Sequence, residues 1–204
     1  MVAKVRQLAG WIIPVVIGLL IALLIKQFFF QIVRVDGPSM QPNLQNDERV
    51  VCLKSAKIHR GSVIIFNADG VDPQVASKTN YVKRVVGLPG DTVRSVNGKL
   101  YVNGKQVSQT YIVKRQRLAT GDWTLPSVSV QHGWLHHNGA TKVPNGEYFV
   151  LGDHRSVSND SRYWGFVPKS KIDGVVKVPK WIKTTDMYRN NVNDQWKHFY
   201  QNKQ

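Results

Sequence analysis

The sequence predicts a mainly β protein: an antiparallel, barrel-like β domain with a small inserted β/loop region, tethered by one N-terminal transmembrane helix. Three observations predict it. One long apolar run stands at the start of the chain, and no later stretch matches it. After it, short β-branched runs alternate with Gly, Pro and Asn turn signals. No long amphipathic helix separates those runs, which disfavours a parallel, doubly wound sheet.

The apolar segment comes first. Lys4 and Arg6 precede an unbroken run from Trp11 to Ile25, followed by Lys26, Gln27 and Phe28-Phe29-Phe30. At helical rise the run covers about 22 Å, short of a hydrocarbon core of about 30 Å. Extending it to Phe30 reaches that length if Lys26 bends toward the headgroups. Pro14 falls in the first turn of this run, where a missing N–H costs little. A cleavable leader would need small residues at −3 and −1 of the cut. The best match, Val35-Asp36-Gly37, would put Pro38 immediately after it, and Ala22 has no suitable partner. An uncleaved signal-anchor therefore fits better. Residues 1–10 are then cytoplasmic, 11–30 cross a lipid bilayer, and everything after about Gln31 lies outside the cell membrane.

Strands are expected at Gln31–Asp36, Glu48–Leu53, Ser62–Asn67, Asn80–Val86, Thr92–Val96, Lys99–Val102, Glu147–Leu151 and Gly174–Val178. Asn97-Gly98 and Asn103-Gly104 are two-residue hairpin signals. Gly87-Leu88-Pro89-Gly90 is a further turn. Residues 31–179 thus form one outer domain, with about 97–146 as an inserted region. Within it, 105–145 is the least regular stretch and reads as a surface insertion. Residues 180–204 turn polar and basic, with Trp181, Trp196 and Tyr200 among Lys, Asn and Gln, and read as a C-terminal tail.

Composition narrows the function classes. The 204 residues are 42% hydrophobic and 20% charged, which excludes a disordered chain. Cys52 is the single cysteine, so no intrachain disulfide forms, and in its apolar strand it reads as a small buried thiol rather than a sortase-like nucleophile. A net charge of +15, from 28 Lys+Arg against 13 Asp+Glu, attracts anionic surfaces. The basic residues are scattered and accompany no aromatic-and-basic motif, so no nucleic acid partner is expected. His132 and His136 have helical spacing for a metal pair with His137 beside them, but Gly133 and Asn138-Gly139 argue against a stable helix there, and no metal is expected.

Three segments carry chemistry. In Val35-Asp36-Gly37-Pro38-Ser39-Met40-Gln41-Pro42, Gly37 frees the backbone and Pro38 restricts it, placing Ser39 on a shaped turn. By itself this is a turn serine with no local base. In Tyr81-Val82-Lys83-Arg84-Val85-Val86, strand alternation puts Tyr81, Lys83 and Val85 on one face and Val82, Arg84 and Val86 on the other. One of the two cations therefore faces apolar neighbours, or it snorkels off a sheet edge. A desolvated lysine can serve as a general base once its pKa falls about 2–3 units from about 10.4, whereas arginine stays charged. The third segment, Gly152-Asp153-His154-Arg155 through Asp160-Ser161-Arg162, suggests two acid–arginine pairs tying a loop.

Together, Ser39-Met40 with Pro42, the run Lys83 to Asp91, and Gly152-Asp153 through Asp160-Ser161-Arg162 resemble the three signature boxes of bacterial type I signal peptidases. Their order, the preceding anchor and the short spacing from anchor to serine also match, and the resemblance covers roughly residues 11–179. It implies a membrane-bound serine endopeptidase with a Ser–Lys dyad. Such an enzyme removes signal peptides from exported preproteins after small-x-small sites, without a cofactor. By motif position, Ser39 is the nucleophile, Lys83 the general base and Ser158 the group that orients the lysine. Asp153, Arg155, Asp160 and Arg162 hold the loop, while the oxyanion hole uses the Ser39 N–H and a donor at Gly37. Gly at that position, with a single anchor, resembles the Gram-positive branch; His154 stands where the family usually has Asn. An extended substrate would add as a strand beside Val35 and Asp36 and near Tyr81 and Val82. The alternatives are a catalytically inactive paralogue and a membrane-tethered basic domain binding anionic cell-wall polymer. An SOS-repressor-type autoprotease shares Ser–Lys chemistry but would need a DNA-binding helical module in place of the anchor.

Overall fold

The helix α1 (Val2–Phe29) runs without a break into strand β1 (Phe30–Arg34). Its segment Trp11–Phe29, 19 residues, is long and apolar enough to cross a membrane and is left unburied by the described residues. Because the helix already begins at Val2, Pro14 sits in its interior, not in a first turn as expected, and Gly10 loses its carbonyl's usual i+4 donor. This computed structural model describes residues 2–200, with the side chains of 2–10, 25 and 26 excluded. The expected basic flank at Lys4 and Arg6, the headgroup reach of Lys26 and residues 201–204 of the tail lie outside the described residues.

There follow β2 (Arg49–Leu53), β3 (Val63–Asn67), β4 (Asn80–Gly87), β5 (Val93–Val96), β6 (Lys99–Val102), β7 (Lys105–Gln106), α2 (Lys114–Leu118), β8 (Trp123–Thr124) and α3 (Leu125–His132). The chain continues through β9 (Glu147–Leu151), α4 (Ser161–Trp164), β10 (Val167–Pro168), β11 (Ile172–Lys177) and α5 (Asp186–Asn193). All eight strands expected from the sequence are present, each within two residues at either end. They form two antiparallel sheets. The larger has the order β1-β2-β11-β3-β4-β9-β10, and the smaller β7-β6-β5-β8. The larger sheet curls into a half-barrel and stays open, with β1 and β10 as its end strands. Asn97 and Asn103 adopt φ of 51°, and Gly98 and Gly104 follow at 71° and 75°, the left-handed geometry of two-residue hairpin turns.

At its middle strands β3 and β4 the larger sheet buries both faces, while the end strand β1 is exposed. From β3, Val63 and Ile65 point into a cluster with Val35, Met40, Leu44, Cys52 and Val176. Ile64 and Phe66 point the other way, to Val150, Tyr148 and Trp164. This explains why the strand reads as a continuous apolar run without alternation.

Two regions differ from the sequence expectation. Residues 105–145, expected to be an irregular surface insertion, carry β7, β8 and two short helices. Trp123, Leu125, Val128, Trp134 and Val143 pack with Phe149 and Leu151 of β9 in a shared core. The clues were local: Thr124 and Ser127 form a capping box, Pro126 sits at the start of α3, and Gly133 ends it at φ 59°. The 180–204 segment, expected to be a polar tail, folds back over its described residues. Val192 of α5 joins the Met40 cluster, Phe199 joins the Trp123 cluster, and Trp196 stacks on His59 at 4.6 Å. Its polarity concealed this because only a few apolar positions make the contact.

Candidate active site

Ser39 follows β1 on a turn whose flanking residues dive into the core. Val35 and Met40 are buried, whereas Asp36 and Pro38 are exposed, so Ser39 stands half-buried at the rim of the sheet. Gly37 supplies φ +83° just before it, a conformation an L side chain resists, and nothing lies within 4 Å of where a Cβ would be. The Gly37 N–H donates to Asn46 Oδ1 at 2.8 Å, so it is already engaged and not a free donor beside Ser39.

Lys83 arrives from the middle of β4, paired with Ile64 of β3. Its Nζ donates to Ser39 Oγ at 2.9 Å, across 44 residues of sequence. Both Lys83 and Arg84 are buried, at 4% and 0% exposure, where the sequence pattern suggested one. The cause is a strand covered on both faces. Burial pushes the Lys83 ammonium down from 10.5 to about 8, working against the Asp160, Asp72 and Asp153 carboxylates, which favour the charged form. The Tyr81 ring lies on the same face, its centroid 4.9 Å from Nζ.

Arg84 faces the other way and cannot give up its proton. It makes a bidentate pair with Asp153 at 2.8 and 2.7 Å and donates to the carbonyls of Gly61 and Asn191. The expected arrangement of two acid–arginine pairs within one loop is therefore only half right. Asp160 does bind its neighbour Arg162, at 2.8 and 3.0 Å. Asp153 instead pairs with Arg84, and Arg155 reaches neutral acceptors: the Gly152 carbonyl, Gln109 Oε1, Thr120 Oγ1 and Tyr111 OH. The reason is tertiary, since β4 passes beside the loop and its guanidinium displaces the local one.

These bonds place the loop against the serine. The Gly152 N–H donates to Asp160 Oδ2 at 3.0 Å, and Arg162 donates to the carbonyls of Arg155 and Ser158. The His154 N–H donates to the Ser39 carbonyl at 3.0 Å, and its ring Nδ1 lies 3.3 Å from the Pro38 carbonyl. A Cβ on Gly152 would sit 2.2 Å from Ser158 Oγ and 2.6 Å from the Ser39 carbonyl, so the loop, Ser158 and Ser39 meet at this one glycine. Ser158 is buried, and its Oγ has no hydrogen-bond partner among the described residues.

Sequence reading missed several residues here. Asn43 donates to both Asp153 and the Tyr111 carbonyl, and Asn191 bonds Asn43. Asp72, buried in the connection between β3 and β4, accepts from Tyr81 OH and Asn159. Nothing in the local sequence around them signals this. Of the three histidines, His132 packs edge-on against Tyr163 and His137 lies 3.3 Å from Glu147. Cys52 is buried and its thiol is raised to about 11, chiefly by desolvation, which keeps it protonated and unreactive.

The comparison with known proteins is specific. The family described as signal peptidase, peptidase S26, matches residues 8–181. The chain is 38% identical over 184 residues to signal peptidase I S of Bacillus subtilis (strain 168), covering 86% of this chain and 90% of that one. It is 33% identical over 180 residues to signal peptidase IB of Staphylococcus aureus (strain Mu50), covering 86% and 91%. The crystal structure of a signal peptidase I from Enterococcus faecalis V583 is 35% identical, covers 59% of this chain and 97% of that one, and superposes with a TM-score of 0.49.

Proposed function

The chain belongs to the signal peptidase family, peptidase S26, and from that premise we propose that it is a membrane-tethered endopeptidase in which Ser39 and Lys83 together cut signal peptides from exported preproteins. The observation that carries the proposal is the 2.9 Å contact between a half-exposed serine hydroxyl and a buried lysine held near pH 8. In water the lysine would be protonated and useless as a base. Here desolvation leaves about one amine in ten free at pH 7, enough to accept a proton.

The steps follow from this geometry. Unprotonated Lys83 takes the Ser39 proton as Oγ attacks the scissile carbonyl, and the resulting ammonium passes that proton to the departing amine. A water then hydrolyses the acyl-serine, with Lys83 again as base. Ser158 Oγ is buried and bonds no described residue, Lys83 included, so to orient the lysine its hydroxyl would have to turn toward Nζ. The Ser39 N–H is the donor for the oxyanion. Gly37 contributes the empty space in which the carbonyl sits; its own N–H would have to leave Asn46 to become a second donor. Asp153, Arg155, Asp160 and Arg162 keep the loop in place.

Two strand edges favour an extended substrate. β1 ends the sheet, and β9 stops at Leu151 opposite Arg84, leaving Asn80–Lys83 of β4 without a strand on that side. A preprotein segment lying between Val35–Asp36 and Tyr81–Val82 would pair by main-chain bonds, and shallow pockets would select small residues at −1 and −3. The apolar helix α1, inserted in the bilayer with its N-terminus inside, would hold this site at the outer surface, where the cut of an inserted signal emerges. The chemistry needs no cofactor.

The test is cleavage of a preprotein bearing an Ala-x-Ala site, in detergent, by the wild type, Ser39→Ala and Lys83→Met. A single cut after the second Ala, with both variants folded and inactive, is the expected result. Wild-type activity in Ser39→Ala would overturn the dyad.

A further inference from the structure

Three carboxylates act on Lys83: Asp160, Asp72 and Asp153. Two of them carry a guanidinium of their own, Asp160 that of Arg162 and Asp153 that of Arg84. Asp72 differs. It is 2% exposed, and among the described residues it makes no ion pair. Its hydrogen bonds come from neutral donors: Tyr81 OH at 2.9 Å and Asn159 Nδ2 at 2.7 Å, both to Oδ2, and the Gln74 N–H at 3.0 Å to Oδ1. A buried carboxylate is costly unless its charge is compensated. The cation its partners lead to is Lys83. Tyr81 bonds Asp72 through its hydroxyl and presents its ring to the Lys83 ammonium, 4.9 Å from the centroid. Asn159 directly follows Ser158, whose side chain packs against Gly152 beside Ser39.

We infer that Asp72 is a positioning residue of this site, holding the Tyr81 ring against Lys83 and the Ser158–Asn159 segment beside Ser39, and acting on that lysine with a charge no arginine neutralises. The inference rests on Lys83 being the base. Within that reading, Asp72 opposes the desolvation of the ammonium, so it sets how far the working pH lies above neutrality. The other groups acting on Lys83 do not duplicate it: Ser39 is a neutral hydroxyl, Tyr81 presents its ring, and Asp153 and Asp160 act as halves of ion pairs.

The experiment is the pH profile of kcat/KM for the full chain in detergent, using an Ala-x-Ala preprotein. Asp72→Asn keeps both the Tyr81 and Asn159 bonds if its amide oxygen takes the Oδ2 position, so only the charge and the Gln74 contact are lost. Asp72→Ala is a second uncharged variant, so the test does not depend on one of them folding. Tyr81→Phe keeps the ring and the charge but loses one bond. In the Asp72 variants the acid limb should move down by about one pH unit, the scale of a unit charge about 10 Å away at an effective dielectric of about 20. In Tyr81→Phe it should stay within about 0.3 unit of wild type, because the charge remains. An unmoved limb in a folded Asp72 variant, or an equal shift in Tyr81→Phe, overturns the inference while leaving the dyad standing. Activity in Lys83→Met, measured alongside, would remove the dyad and the inference with it.

Discussion

Replacing Lys83 by Met should abolish cleavage and yet make the protein more stable at neutral pH. Lys83 is 4% exposed, and burial lowers its pKa from 10.5 to about 8. The folded protein therefore holds an ammonium that the unfolded chain hydrates more favourably, at a cost of about 3 kcal/mol. Below about pH 8 the lysine is protonated in both states and the whole cost is present. Between about 8 and 10.5 the unfolded chain binds more protons than the folded one, so stability rises with pH and the cost fades. Methionine fills nearly the same volume without the charge. Its deficit is the hydrogen bond to Ser39 Oγ, about 1 kcal/mol. The net expectation is a variant about 2 kcal/mol more stable than wild type at pH 6–7, with the gap closing as pH approaches 10. The assay is denaturant unfolding of both full-length proteins in one detergent across pH 6 to 10. A variant less stable than wild type at pH 7, or a gap that does not change with pH, would refute the reasoning.

With Lys83 as the proposed base, wild-type kcat/KM should rise about tenfold from pH 7 to a plateau above about 9, following the fraction of free amine at a pKa of about 8; a profile flat from pH 6 to 10 would rule against a lysine base. Gly152→Ala should cost about a hundredfold or more in kcat, because its Cβ would stand 2.2 Å from Ser158 Oγ and 2.6 Å from the Ser39 carbonyl and push the serine off line. Single-turnover cleavage, with circular dichroism to confirm folding, would check it. Asp153→Ala should destabilise by about 3–5 kcal/mol, as it strands the fully buried Arg84 guanidinium, and unfolding curves would show it. Truncation after Lys180 should also destabilise, by several kcal/mol, since it removes buried Val192 and Phe199 and the Asn191 carbonyl that accepts from Arg84; a melting curve identical to wild type would count against this.

The elements and much of the chemistry available to them are legible in the amino-acid order alone. Alternating and continuous β-branched runs mark the strands because side-chain direction in a strand depends only on the residue's own position. Asn-Gly pairs mark the hairpins because few other dipeptides adopt positive φ twice. The exclusion of Arg84 as a base followed from intrinsic acidity alone. The tertiary structure decided which of these groups meet. Ser39 touches Lys83 across 44 residues and Arg84 takes Asp153 across 69, pairings that depend on the crossing of β4 beside the 152–162 loop. Local pattern paired Asp153 with the nearby Arg155, and it gave Asp72 and Asn191 no role at all. The same holds for the lysine's basicity. A strand pattern says which face Lys83 is on, but the drop to about pH 8 comes from both faces of the sheet being covered, and desolvation is a property of the surrounding volume rather than of neighbours in the chain.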